Sequence, residues 1–276
     1  MQKIPEIPKL LIHKNEETGR TTSFRSTLPK SNRSQHPHLI FLHGFNGSSK
    51  SWAYQLEYFR EYGSIAIDSP GFGGSSRVDD GMDAVVVEVV NLITSLKINN
   101  PIIVGHSMGG MTAQVLAAKH PELCSALVLS CTHKGHGAPI GSPLSKDIEQ
   151  RIEQRKELDN KQYGELRVRK MLGDHVSPLL FDFLVNIAGD ITIEGLKCGG
   201  VAMQTLDTTP MLSSIRSPVT VITAQRDIVV SNDASAALLR DLPKHRKVEL
   251  RGVGHAPYCE DPQAFNKVIE EVIATI

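Results

Sequence analysis

Short apolar runs recur along the chain, at 39–42, 65–67, 102–104, 126–129 and 219–222, with a weaker one at 248–250. None alternates cleanly with polar residues, so each suits a strand covered on both faces. Between them, 82–96, 110–120, 233–242 and 262–276 space their apolar residues as helices do. This alternation predicts an α/β fold, a doubly wound and mostly parallel sheet. Ahead of it, 9–13 and 21–27 alternate loosely around Asn15-Glu16-Glu17-Thr18-Gly19, the pattern of a hairpin.

The rhythm breaks between Thr132 and Asp207. No strand pattern is visible there, but Ile148, Ile152 and Arg155 sit at helical spacing, as do Leu179, Phe183 and Ile187. The segment opens on His133-Lys134-Gly135-His136-Gly137-Ala138-Pro139, a linker with chain breakers. We expect 133–207 to be a helical insertion into a core of 1–132 and 208–276. It would lie over the C-terminal edge of the sheet, where open α/β sheets bind ligands.

Composition narrows the partners. Of 276 residues, 40% are hydrophobic, enough for a substantial buried core. The 30 Lys and Arg cancel the 30 Asp and Glu, so no net charge recruits nucleic acid or an anionic membrane. No apolar stretch reaches the length of about 18 residues that a spanning helix needs. The opening MQKIPEIPKL puts two prolines where a secretory leader needs an apolar run, so a cytoplasmic protein is expected. Cys124, Cys131, Cys198 and Cys259 show neither metal-site spacing nor a disulfide framework. The oligomeric state is not written in the sequence.

The chemistry-bearing motif is Gly105-His106-Ser107-Met108-Gly109, which follows a buried run and opens a helix. G-x-S-x-G in this strand–turn–helix context places a serine hydroxyl on a sharp turn, with glycines that let strand and helix approach closely. Serine becomes a nucleophile only when a base takes its proton and a third group orients that base. Asp227 follows the run at 219–222, and His255 follows the run at 248–250, in the order Ser…Asp…His that this elbow predicts. Two backbone N–H groups must hold the developing oxyanion. Met108 supplies one, and the loop His43-Gly44-Phe45-Asn46-Gly47 supplies the other, for which Phe45 is the candidate.

With these residues in place, the chain resembles the α/β-hydrolase fold superfamily from about residue 36 to its C-terminus. The motifs that carry the resemblance are LHGF (42–45), DSPGFGGSS (68–76), GHSMGG around Ser107, the acid loop at Asp227 and GVGH ending at His255. The resemblance implies that the insertion at 133–207 forms a cap between the sixth and seventh strands. It implies acyl transfer without metal or organic cofactor on a small-molecule substrate. Serine at the elbow argues against the dehalogenase and epoxide-hydrolase patterns, which carry aspartate there. Carbon–carbon hydrolases of ring-fission products usually place Asn before the serine and Trp after the histidine, where this chain has His106 and Ala256. Perhydrolase relatives have Pro where Asn46 stands. The layout looks more similar to small esterases and enol-lactonases. A carboxylic ester or lactone is therefore the expected substrate, with C–C hydrolysis or a ligand-binding role as alternatives.

Other motifs fit less well. Gly44 to Ser51 resembles a P-loop, but Ser49 stands where glycine must precede the lysine. Asp233 competes with Asp227 as the acid, but falls where it would open the next helix; Asp207, at the exit of the insertion, is a weaker rival. His43 is expected to hold the oxyanion loop. Asn46, His106, Met171, Phe183 and Met203 are the candidate pocket residues. Arg167, Arg169 and Lys170 suit a substrate carboxylate, but the near balance of charge across 133–207 reads more readily as a solvated face.

Overall fold

The computed structural model describes residues 3–28, 36–79, 81–173 and 176–276. Its sheet has eight strands: β1 (Leu10–Lys14), β2 (Thr21–Ser26), β3 (Leu39–Leu42), β4 (Ser64–Ile67), β5 (Ile102–His106), β6 (Ala126–Ser130), β7 (Val219–Ala224) and β8 (Arg246–Leu250). They lie in the order β1-β2-β4-β3-β5-β6-β7-β8. From β4 to β8 all neighbours are parallel, while the β1–β2 and β2–β4 pairs are antiparallel. The first two strands form the expected hairpin. Asn15 closes its turn by accepting the N–H groups of Glu17 and Thr18 on its own Oδ1.

Period two within each strand divides the core in two. Ile40, Leu42, Ile103, Leu127 and Leu129 face one apolar layer, and Leu39, Phe41, Ile102, Val104 and Val128 face the other. Helices cover both sides: α1 (Ala53–Tyr58), α2 (Gly81–Ser95), α3 (Met108–Lys119), α4 (Lys146–Glu157), α5 (Asn160–Val168), α6 (Pro178–Gly189), α7 (Ile193–Thr205), α8 (Asn232–Asp241), α9 (Pro257–Glu260) and α10 (Pro262–Ile273). α2 and α3 bury Val85, Val89, Val115 and Leu116 in the first layer; α10 buries Phe265 and Ile269 in the second. Trp52 is fully buried there, with its ring against Phe41, Tyr258 and Phe265. No helix among the described residues is long and apolar enough to cross a membrane.

α4 to α7 all fall between β6 and β7. The chain enters and leaves this excursion at one point, where Gly135 bridges Asp207 and Thr208 N–H donates to the Lys134 carbonyl. Gly135 is required there. Its φ is +95°, and a Cβ would stand 2.1 Å from the Leu206 carbonyl oxygen.

Candidate active site

β5 ends one residue before Ser107, which takes φ +52° and ψ −117°. That conformation is rare for a residue with a side chain and costs on the order of 1–3 kcal/mol, so the surroundings must hold it. They do so through four hydrogen bonds. Ser107 N–H donates to the Ser130 carbonyl (2.9 Å), and its own carbonyl accepts from Thr132 Oγ1 (2.7 Å), Gly110 N–H (2.9 Å) and Met111 N–H (3.2 Å). The flanking glycines permit the approach. A Cβ on Gly105 would lie 2.4 Å from the Gly109 oxygen, and one on Gly109 would lie 2.2 Å from the Leu42 oxygen.

His255 lies in the loop between β8 and α9. Its Nδ1 is 2.9 Å from Asp227 Oδ2, and both side chains are nearly inaccessible, at 4% and 6%. Burial alone would raise the Asp227 carboxyl. The hydrogen bond and charge of His255, with the amides of Val230 and Val229, outweigh it and bring the pKa below the ordinary carboxylate value. An ionised carboxylate only accepts, so the proton of the pair sits on Nδ1 and the Nε2 lone pair is left for a base's work. The rival acids stand apart. Asp233 is exposed in the first turn of α8, and Asp207 accepts from Thr209 N–H.

Ser107 and His255 both line a cavity of about 820 Å³. Of the candidate pocket residues, Asn46, His106, Met171 and Met203 also line it. Phe183 does not. It sits on α6, partly buried and packed against the second apolar layer instead. Helical spacing identifies an apolar face but not which wall that face meets. Phe45 reaches the cavity, and its loop passes against the serine: a Cβ on Gly44 would be 3.1 Å from Ser107 Cβ. Met108 is the first residue of α3, where a helix leaves its N–H groups without intrahelical acceptors. Its side chain packs in the core, so only its backbone belongs to the candidate site.

Two further histidines brace these loops as neutral rings. His43 Nδ1–H donates to the Gly44 carbonyl (2.8 Å), while Nε2 accepts from Ser69 N–H (3.0 Å). Burial holds its pKa below the usual value. His106 Nε2–H donates to the His255 carbonyl (2.6 Å); burial and then the nearby His255 charge lower its pKa to about 3. Although it borders the cavity, His106 is committed to holding the His255 loop.

Glu260 carries no motif signal and is not legible in the sequence. Its carboxylate accepts from Gly254 (3.0 Å) and Ala256 (3.1 Å), on either side of His255, and from Gly173 (2.7 Å) before α6. Burial raises its pKa despite these amides. Glu260→Gln removes one accepting oxygen and leaves an N–H unpaired, so unfolding in urea should cost about 1–3 kcal/mol less. An unchanged midpoint and slope would mean that water replaces the lost acceptor.

Cys131 at the end of β6 brings its Sγ within 4.8 Å of the Asp227 and His255 ligand atoms. A metal would need the thiolate. Burial, followed by the Asp227 charge, pushes this thiol well above its usual pKa, so the donor set suits a protonated thiol beside a carboxylate. Of the basic residues in the insertion, Arg167 and Lys170 line the cavity, joined by Arg151. Arg169 turns away to Glu165 and covers the Phe181 ring.

Comparison with known proteins agrees with this architecture. The family described as the alpha/beta hydrolase fold matches residues 37–262. The AB hydrolase superfamily protein YisY of Bacillus subtilis is 27% identical, over 84% of this chain and 90% of its own length. A 3-oxoadipate enol-lactonase 2 from Acinetobacter baylyi is 28% identical, over 86% of this chain and 88% of its own. Among solved structures, an esterase from Exiguobacterium antarcticum superposes with a TM-score of 0.81 at 18% identity, covering 93% of this chain and 97% of the esterase. At that identity the likeness is one of fold.

Proposed function

The chain belongs to the alpha/beta hydrolase fold family, and on that premise we propose that it is a serine hydrolase cleaving a small-molecule carboxylic ester or lactone. The observation that carries the reading is Ser107, strained at φ +52°, lining one cavity with His255, which is itself paired with Asp227. His255 Nε2 takes the Ser107 proton as Oγ attacks the carbonyl carbon. The amides of Phe45 and Met108 hold the tetrahedral oxyanion. Collapse expels the alcohol with the proton from His255, and water then cleaves the acyl-enzyme by the same route in reverse. Asp227 keeps the imidazole in the productive tautomer and stabilises its cation. Every proton in this cycle moves between Ser107, His255, water and substrate, so no cofactor takes part.

In this reading 133–207 is a cap over a core of 1–132 and 208–276, and the cavity lies between them. Four buried free cysteines suit a reducing, cytoplasmic setting. The hydrolase relatives support the reaction class. The test is labelling with a fluorophosphonate probe followed by peptide mapping. An adduct on Ser107 that disappears in His255→Ala is expected; an unlabelled Ser107 in protein that turns over esters would overturn the assignment.

A further inference from the structure

The cavity lining is charged in an unusual way. Arg151 on α4, Arg167 in the last turn of α5 and Lys170 just beyond it all line the cavity. Among the described lining residues the only carboxylate is Asp147, which pairs with Arg151 Nε at 2.7 Å and is itself 65% exposed. Three cations therefore share one solvated anion. Arg167 is only partly satisfied. Its Nη2 donates to Gln154 Oε1, its Nε is buried without a partner among the described residues, and its plane lies over the Tyr163 ring. Burial and then the neighbouring Arg151 charge draw its pKa down. Holding two guanidinium groups together in a partly desolvated pocket is costly unless an anion completes them.

We propose that Arg151 and Arg167 form an anion subsite that selects substrates carrying a carboxylate at the end remote from the scissile bond. This rests on the ester or lactone hydrolase reading and adds the chemical class of its substrate. The placement fits. The Arg151 guanidinium lies 5.5 Å from the centre of the Phe45 ring, and Phe45 lines the same cavity as Ser107. A substrate anchored at Arg151 would thus lie beside the Phe45 ring in the cavity that Ser107 also lines. Ile148 and Met203 line the cavity as apolar wall for the carbon skeleton between. A planar carboxylate suits two guanidinium forks better than a lysine point charge would.

The test compares two esters, mono-(4-nitrophenyl) adipate and the neutral 4-nitrophenyl hexanoate, on the full chain. It also measures free adipate binding to Ser107→Ala by calorimetry. Wild-type protein should show the lower KM for the charged ester. Arg167→Gln and Arg151→Gln should each raise that KM about tenfold more than they raise the neutral ester's, and Arg167→Lys should fall between. Adipate binding should weaken in parallel when the same changes are made in the Ser107→Ala background. Equal KM values for the two esters, with adipate binding absent or insensitive to both arginines, would overturn the subsite while leaving the hydrolase intact. Arginine-dependent adipate binding without turnover of either ester would keep the subsite and overturn the hydrolase reading. The Lys variant and the Arg151 variant keep the comparison decisive if Arg167→Gln folds poorly.

Discussion

Replacing Ser107 with alanine should lower kcat by about 10⁴-fold or more, while ligand binding persists. The change removes only the oxygen. Alanine keeps the Cβ that the strained φ already accommodates, and the backbone bonds to Ser130, Thr132 and Gly110 do not involve the hydroxyl. Thermal stability should therefore stay close to that of the wild type, and a binding titration should separate lost chemistry from lost structure. Turnover within tenfold of wild type would remove Ser107 from the mechanism.

Asp227→Asn should cost about 10³- to 10⁴-fold in kcat, with a smaller effect on KM. The reason lies in the other oxygen of the carboxylate. Oδ1 accepts from the N–H groups of Val229 (2.8 Å) and Val230 (3.1 Å). Asparagine must keep its carbonyl oxygen on those two amides, which turns its NH₂ toward His255 Nδ1. The imidazole then has to accept at Nδ1 and carry its proton on Nε2, the wrong tautomer for a base. Steady-state kinetics, with the heteronuclear NMR shifts of the His255 ring, would read both consequences. A ring proton still on Nδ1 together with near-wild-type kcat would refute the argument.

Much of the fold is legible in the order of residues alone. β3 to β6 are buried on both faces, so their continuous apolar runs mark them. The edge strand β8 is fainter because Arg246, Lys247 and Glu249 face solvent, and the structure begins it two residues before the readable run. The helices of the core start and stop within a few residues of their predicted bounds. In the insertion, α5 and α7 blur, since each interrupts its apolar spacing with glycine, at Gly164 and at Gly195, Gly199 and Gly200. Those glycines answer to close packing rather than to helix propensity: a Cβ on Gly164 would stand 2.1 Å from the Val185 oxygen on the adjoining α6.

The candidate site divides along the same line. Local pattern was enough for the α/β alternation, the elbow at Ser107, and the placing of Asp227 and His255 just after apolar runs. Each of these depends on side-chain period or turn chemistry within a few residues. It took packing across the whole chain to bring Asp227, and neither Asp233 nor Asp207, to His255, and to pack Phe183 against the second apolar layer instead of the cavity. The same packing set Glu260 across Gly173 and the His255 loop, and brought Arg151 to the cavity while it keeps its i,i+4 pair with Asp147. These outcomes depend on which faces meet across long stretches of chain, and helix rotation and loop packing settle that where no local pattern can record it.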